Sequence, residues 1–233
     1  MAPLLQVSNL NAWYGESHVL HGVDMSINEG ETITILGRNG VGKTTTLRSI
    51  VGILRERRGE IRFDGHDMLT VPLHRTAHAG IGYVPEERGI FATLTVEENL
   101  LLPPIVAPGG MELDDIYALF PNLLERRLST GTKLSGGEQQ MLAMARILRT
   151  GVKLLILDEP TEGLAPVIVQ RIGDVLQTLK SRGMTILIVE QNFRFASKIS
   201  DRFYLMDHGQ MVGEFPVSQL PQQMGTLNKV LGV

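Results

Sequence analysis

The chain of 233 residues contains no cysteine. That absence excludes a disulfide framework, cysteine-ligated zinc and thiol catalysis, and it is compatible with a reducing cytosol. A basic excess is also lacking. Against 22 Lys and Arg stand 25 Asp and Glu, a net charge of -3. No positive field therefore exists to hold a phosphodiester backbone, and nucleic acid is not an expected partner. No apolar run approaches the roughly 18 to 20 residues that span a bilayer. The longest candidate, residues 100–107, is broken by Pro103 and Pro104. Residues 1–6 lack a basic stretch followed by a long apolar one and do not read as a signal peptide. No internal repeat, low-complexity tract or guanine-reading Asn-Lys-x-Asp run is present.

What is present suffices for one substantial core, with 43% hydrophobic residues, and a single domain over 1–233 is expected. The first 65 residues read as strands, with Val23, Met25 and Ile27 alternating with polar neighbours and residues 32–36 climbing into a glycine-rich loop. Leu47, Ile50, Val51 and Leu54 then fall at helical spacing. Residues 59–63 and 81–84 read as further strands. The character changes over 95–150, where helical patterns around 113–120 and 139–148 suggest an inserted helical lobe. Residues 154–157 and 186–189 are wholly apolar, as strands covered on both faces of a parallel sheet are. Between them, Ile168, Ile172, Val175, Leu176 and Leu179 form one helix stripe starting near Pro166. Strands over 203–206 and 211–215 flank His208-Gly209, a hairpin turn, and a helix over about 218–233 closes the chain. The expected lobes are thus a core with its β lobe over about 1–94 and 151–217 and a helical lobe over about 95–150. His74 and His78 lie four apart but lack the glutamate of a zinc protease helix, and read as a solvated face.

Gly37-Arg38-Asn39-Gly40-Val41-Gly42-Lys43-Thr44 has a glycine, four residues, then glycine, lysine and a hydroxyl residue, between an apolar strand and a helix. Glycines let backbone N–H groups converge on phosphate oxygens, and the helix N-terminus adds partial positive charge. Lys43 neutralises the outer phosphates, and the Thr44 hydroxyl is a hard ligand for Mg2+. Asp158-Glu159 after the apolar strand 154–157 completes such a site: Asp158 reaches the magnesium shell through water, and Glu159 polarises the attacking water. Ser135-Gly136-Gly137-Glu138-Gln139-Gln140 is a second helix start, in which Ser135 and Glu138 form a capping box and the glycines leave the first-turn N–H groups uncovered. It suits an anion, yet the chain already has a phosphate loop. The economical source of that anion is a partner subunit's nucleotide.

With these motifs the sequence resembles the ATP-binding cassette family over nearly its whole length. The resemblance implies an α/β fold: a P-loop NTPase, RecA-like, parallel-sheet core with an N-terminal antiparallel β lobe and an inserted α-helical lobe. It also implies two cassettes facing head to tail around ATP. By position, Tyr14 would stack on adenine, with adjacent Trp13 able to take that face, and Gly37 through Thr45 would cradle phosphates. Ser135, Gly136 and Gly137 would close over the partner's terminal phosphate. Val84-Pro85-Glu86-Glu87, Glu162-Gly163-Leu164-Ala165-Pro166 and Val189-Glu190-Gln191-Asn192 look like the smaller ATPase subunit of branched-chain amino acid importers, with a urea or short-chain amide importer, or a non-transport cassette ATPase acting as a regulatory module, as the alternatives. That resemblance implies a homodimer or heterodimer with a second cassette, integral membrane permease subunits, and a periplasmic or extracellular substrate-binding protein. It places the chain peripherally at the cytoplasmic face of the inner membrane. A groove beside residues 86–101 would receive a permease helix.

Two positions depart from the commoner family pattern. Glu86 stands where glutamine is usual and remains an oxygen donor for magnesium. Gln191 stands where histidine is usual; it can donate a hydrogen bond to a terminal phosphate but cannot exchange a proton near pH 6.5, histidine's ordinary range of about 6.5. Turnover is therefore expected to show no histidine-like inflection between about pH 5.5 and 7.5. A pH–rate profile checks this, and an inflection that Gln191→Ala abolishes would overturn it.

Overall fold

In the computed structural model, which describes residues 2–232, two sheets share one interior. The N-terminal strands β1 (Leu5–Tyr14), β2 (Ser17–Ile27), β4 (Arg57–Phe63) and β5 (His66–Asp67) form an antiparallel sheet in the order β2-β1-β4-β5. The second sheet runs β10-β9-β3-β8-β7-β6 and contains β3 (Thr32–Leu36), β6 (Ile81–Val84), β7 (Leu154–Asp158), β8 (Thr185–Glu190), β9 (Arg202–Asp207) and β10 (Gln210–Pro216). All its neighbours pair parallel except the β9–β10 hairpin. That hairpin turns on His208 and Gly209, both at positive φ, 45° and 76°, as a tight two-residue turn requires.

The apolar strand runs are explained by burial on both faces. Leu154, Ile156, Leu187 and Val189 point into a core shared with the antiparallel sheet. Their neighbours Leu155, Leu157, Ile186 and Ile188 point the other way, into a core under the helices. Each such fully buried side chain contributes about 1.5–3 kcal/mol relative to exposure. The helical core is built from α3 (Val96–Leu101), α4 (Leu113–Leu119), α5 (Pro121–Glu125), α6 (Gly136–Leu148) and α7 (Pro166–Ser181), the last with Pro166 in its first turn. A third cluster lies under α8 (Phe193–Ile199) and α9 (Leu220–Leu231), where Phe203, Leu205 and Phe215 meet Leu227.

The structure differs from the sequence reading at a few places. Helix α1 (Lys43–Val51) stops before Leu54, because Gly52 takes a left-handed φ of 88° and ends it; Leu54 is buried beyond the helix. Helix α8 was not anticipated, and it begins at Asn192, whose side chain accepts from Phe195 N. The closing helix starts at Leu220, after a 3-10 turn over Val217–Gln219, and Val233 lies outside the described residues. His74 sits in a 3-10 turn (Leu73–Arg75) and His78 in the single-turn helix α2 (Thr76–Ala79), both exposed.

Sheet register positions the site. Leu36 pairs with Glu190, Asp158 with Val189 and Val84 with Leu157. Four parallel strands therefore end at one edge, the carboxyl edge where ligands of open α/β sheets bind.

Candidate active site

From the end of β3 the chain enters the phosphate loop, and Gly42, at φ 111°, turns it into α1. A Cβ there would lie 2.9 Å from Leu20 Cδ2, so glycine is required on two grounds. Lys43 is buried, and its ammonium donates to Gly37 O at 2.9 Å and Arg38 O at 3.0 Å and pairs with Glu159 Oε1 at 3.0 Å. Thr44 Oγ1 donates to Asp158 Oδ1 at 2.9 Å. The other Asp158 oxygen accepts from the Tyr83 hydroxyl at 2.8 Å. Thr45 is buried under the loop, and Arg38, Asn39 and Gly40 are exposed at its tip, with Val41 half-buried. Gln191, exposed after β8, faces Arg38 and Asn39 across a cleft of about 540 Å³.

Glu159 has a backbone φ of 46°, left-handed for a residue that precedes a proline. Such geometry costs on the order of 1–3 kcal/mol and persists where the surroundings over-determine it. Here Glu159 N donates to Val189 O at 3.0 Å, and its carbonyl accepts from Glu162 N at 3.2 Å.

Carboxylates crowd this sheet edge. Burial pushes the Asp158 carboxyl up, against the hydrogen bonds from Tyr83 and Thr44, while the charges of Glu159 and Glu86 push it up further. Burial does the same to Glu190, against hydrogen bonds from Thr161 and Asn192. Glu162 is pushed up to about 7, first by its hydrogen bond with the Glu159 carboxyl, then by burial and the charges of Glu159, Glu86 and Glu190. A divalent cation fits such a donor set, since Thr44 and Asp158 offer hard oxygens already in contact and Glu86 adds charge nearby. Among the described residues no cluster of three His, Cys, Asp or Glu could hold a metal alone. Magnesium commonly shares its shell among water, substrate phosphates and one or two protein groups.

The signature stands apart. Ser135 caps α6, accepting from Glu138 N, while the Glu138 carboxylate accepts from Ser135 N at 2.7 Å. Glu138 also pairs with Arg126 at 3.5 Å, so its charge serves the cap. Gly136 is half-buried, and Gly137 is buried where a Cβ would lie 2.6 Å from Ile168 Cγ2. Among the described residues no hydrogen bond or ion pair joins this helix start to the phosphate loop. Tyr14 is 45% exposed at the end of β1. The Trp13 ring is engaged: His18 stacks on it at 4.4 Å and the Arg58 guanidinium lies 5.5 Å from its centre.

Sequence reasoning missed Tyr83, hidden in a strand read only for its apolar pattern, and the proximity of Glu162 and Glu190 to Glu159. The run Asp158-Glu159 with Glu162 three residues on carried that signal for Glu162.

Fold and site together define a P-loop nucleotide-binding cassette. The ABC transporter family model matches residues 20–162. The chain belongs to the ABC transporter family and is one of its ATPase cassettes. It is 38% identical over 212 residues to BraG of Pseudomonas aeruginosa, a high-affinity branched-chain amino acid transport ATP-binding protein, covering 90% of this chain and 91% of that one. It is 39% identical over 215 residues to LivF of Archaeoglobus fulgidus, a probable branched-chain amino acid transport ATP-binding protein, covering 89% and 90%. LptB of Haemophilus influenzae, an ATP-binding protein of lipopolysaccharide export, is 35% identical over 215 residues, covering 90% and 89%. Among solved structures, a nucleotide-free cassette from an ABC transporter superposes with TM-score 0.85 at 26% identity, covering 100% and 99%. A dimeric post-hydrolysis cassette bound to ADP and Pi gives 0.78 at 25%, covering 91% and 98%.

The Glu159–Glu162 pair has a consequence for stability. Unfolded, Glu162 titrates near its ordinary 4.5, whereas folded it holds its proton to about 7. The folded chain binds the extra proton in that window, so stability falls as pH rises through it and then levels. Glu162→Gln removes the fall. In thermal unfolding without added nucleotide the variant is expected to gain on the parent at pH 8 and not at pH 4. Equal shifts at both pH values would exclude the raised Glu162 carboxyl as the cause.

Proposed function

We propose that the chain is the ATP-hydrolysing subunit of an importer of branched-chain amino acids. It would work as a pair with a second cassette, the same chain or another, at the cytoplasmic face of the inner membrane, beside permease subunits and an external substrate-binding protein. The amino-acid reading is supported by BraG and LivF, whose names carry that transport.

The observation that carries a membrane partner is an apolar groove of about 380 Å³ lined by Val51, Ile53, Leu73, Pro104, Val106 and Ile147, among others. Its lining residues Ile53 and Leu73 are exposed, as are Leu101, Leu102 and Ile105 next in sequence to the lining residues Pro103, Pro104 and Val106, and no described helix is long and apolar enough to cross a membrane itself. Clustered exposed apolar groups of this kind mark an interaction surface. The family resemblance points also to the segment 86–101, within which Glu98 is engaged in the cap of α3, accepting from Thr95 N at 2.7 Å, which holds its carboxyl below the ordinary range.

On this reading, each composite site takes Lys43, Thr44 and the loop N–H groups from one copy and Ser135 to Gly137 from the other. Lys43 exchanges the Glu159 carboxylate for phosphate oxygens. Glu159, released, accepts the proton of the attacking water, a role worth about 10²- to 10⁴-fold in rate. Gln191 donates to the terminal phosphate, and Tyr14 lies under adenine. Thr44 would hold magnesium directly, with Asp158 and Glu86 through its water shell, and the ion would supply positive charge between phosphates.

Lipopolysaccharide export is the second reading, because LptB relatives reach 35% identity. Cells whose only copy carries Lys43→Ala are expected to lose uptake of labelled leucine, isoleucine and valine. Intact uptake with loss of surface lipopolysaccharide would instead select the export reading, and loss of urea uptake alone the amide one.

For the groove, Ile53→Glu and Leu73→Glu replace exposed side chains, so folding should change by only about 0.5 kcal/mol. Basal hydrolysis is expected to persist while the chain is lost from permease-containing membranes in flotation. Undiminished retention of both variants would remove the groove as the contact.

A further inference from the structure

Between β6 and α3 the loop takes two successive left-handed residues, Arg88 at φ 66° and Gly89 at φ 67°. Glycine adopts this freely; an arginine does not. The turn aims the Arg88 side chain at the start of α6. Its Nη1 donates to Gln139 Oε1 at 2.9 Å. Its guanidinium lies flat over Gly136: a Cβ added there would be 3.1 Å from Nη2, 3.3 Å from Nη1 and 3.4 Å from Cζ. Gln139 is itself oriented, with Nε2 donating to Gly131 O and Leu134 O at 3.2 and 3.3 Å, which leaves its carbonyl for Arg88. The adjacent acid does not compete, because Glu87 pairs with Arg48 of α1 at 3.3 Å. Among the described residues Arg88 pairs with no carboxylate.

We propose that Arg88 is a positioning residue that sets the Ser135–Gly137 helix start for the nucleotide held by the second cassette. The proposal rests on the two-copy reading above. The guanidinium fills the space left by the missing side chain of Gly136 and so holds that residue in place. A planar group with two parallel nitrogens does this; an ammonium on a flexible stem does not. The same loop carries Glu86, beside the magnesium position, so one short segment spans both halves of the hydrolytic machinery.

The test uses the full chain with Glu159→Gln, alone and with Arg88→Ala or Arg88→Lys added. Binding of a fluorescent ATP analogue to the single chain is expected to stay within about twofold, since the phosphate loop is untouched. Mg-ATP-driven pairing, read by sedimentation, is expected to weaken about tenfold or more in both variants, the scale of losing one hydrogen bond to a charged group. Hydrogen exchange in the chain without nucleotide is expected to quicken at residues 136–139 and not in α7. Pairing and exchange both unchanged in Arg88→Ala would overturn the assignment, as would full rescue by Arg88→Lys. If the Glu159→Gln parent itself fails to pair, the two-copy reading fails, and exchange at 136–139 alone then decides for or against Arg88.

Discussion

The site turns on the buried ammonium of Lys43. At 3% exposure, an ammonium without compensation would be unfavourable by several kcal/mol, so its three oxygen acceptors are obligatory. Two of them, Gly37 O and Arg38 O, are backbone carbonyls of the loop and move only if the loop does. The third, Glu159 Oε1, is a side-chain oxygen and the one partner that can be exchanged. A phosphate oxygen replaces it without leaving the ammonium unpaired. On the proposed function, nucleotide entry and release of the general base are then a single exchange of partners, which keeps the base occupied until there is substrate to act on.

Strand register explains why the carboxylates gather and why they do not all behave alike. Asp158 has both oxygens engaged, by Thr44 and Tyr83. Glu190, buried at the end of β8, accepts from Thr161 N, Thr161 Oγ1 and Asn192 N, so it ties the β8 end to the segment after β7. These two are held by the scaffold. Glu159 pairs with Lys43, and Glu162, hydrogen-bonded to the Glu159 carboxyl, keeps its own proton to about 7. An inflection near neutral pH from Glu162 would respond to substitution of Glu162 and not of Gln191, which separates it from the histidine behaviour that this position lacks.

The parts of this arrangement that could be read from sequence are those set by local physics. The phosphate loop, the Ser135–Glu138 cap and the strands over β3, β6, β7 and β8 each follow from short patterns, because a strand buried on both faces must be continuously apolar and a loop cradling phosphates must be glycine-rich. Helix α8 lay outside that reach: its period covers only 7 residues, and its start depends on the Asn192 cap. The apolar groove near Leu73 escaped the sequence for a different reason. Residues 96–101 look amphipathic, but Val96 and Leu100 face inward and Glu98 caps the helix, while the open apolar surface is assembled from the end of α1, the Leu73 turn and residues 103–106. No local pattern reports that meeting. Tyr83 and Arg88 were invisible likewise, since their partners lie 75 and 51 residues away.

Helix α6 joins the two surfaces that a second cassette and a membrane partner would use. Its 13 residues, about 20 Å of rigid rod, begin at the Ser135 cap and reach Arg146 near the far end. Arg146 lines the apolar groove, donates to Gly89 O at 2.6 Å and lies 4.8 Å from the Phe91 ring. The loop between β6 and α3 thus grips the helix at both ends, by Arg88 at its start and by Gly89 and Phe91 further along. Through Glu87 and Arg48 it also holds α1, whose first residue is Lys43. A packed helix does not bend to absorb a displacement at one end. On the proposed function, a partner seated in the groove would act on the signature and on the phosphate loop through this one short segment, without touching either.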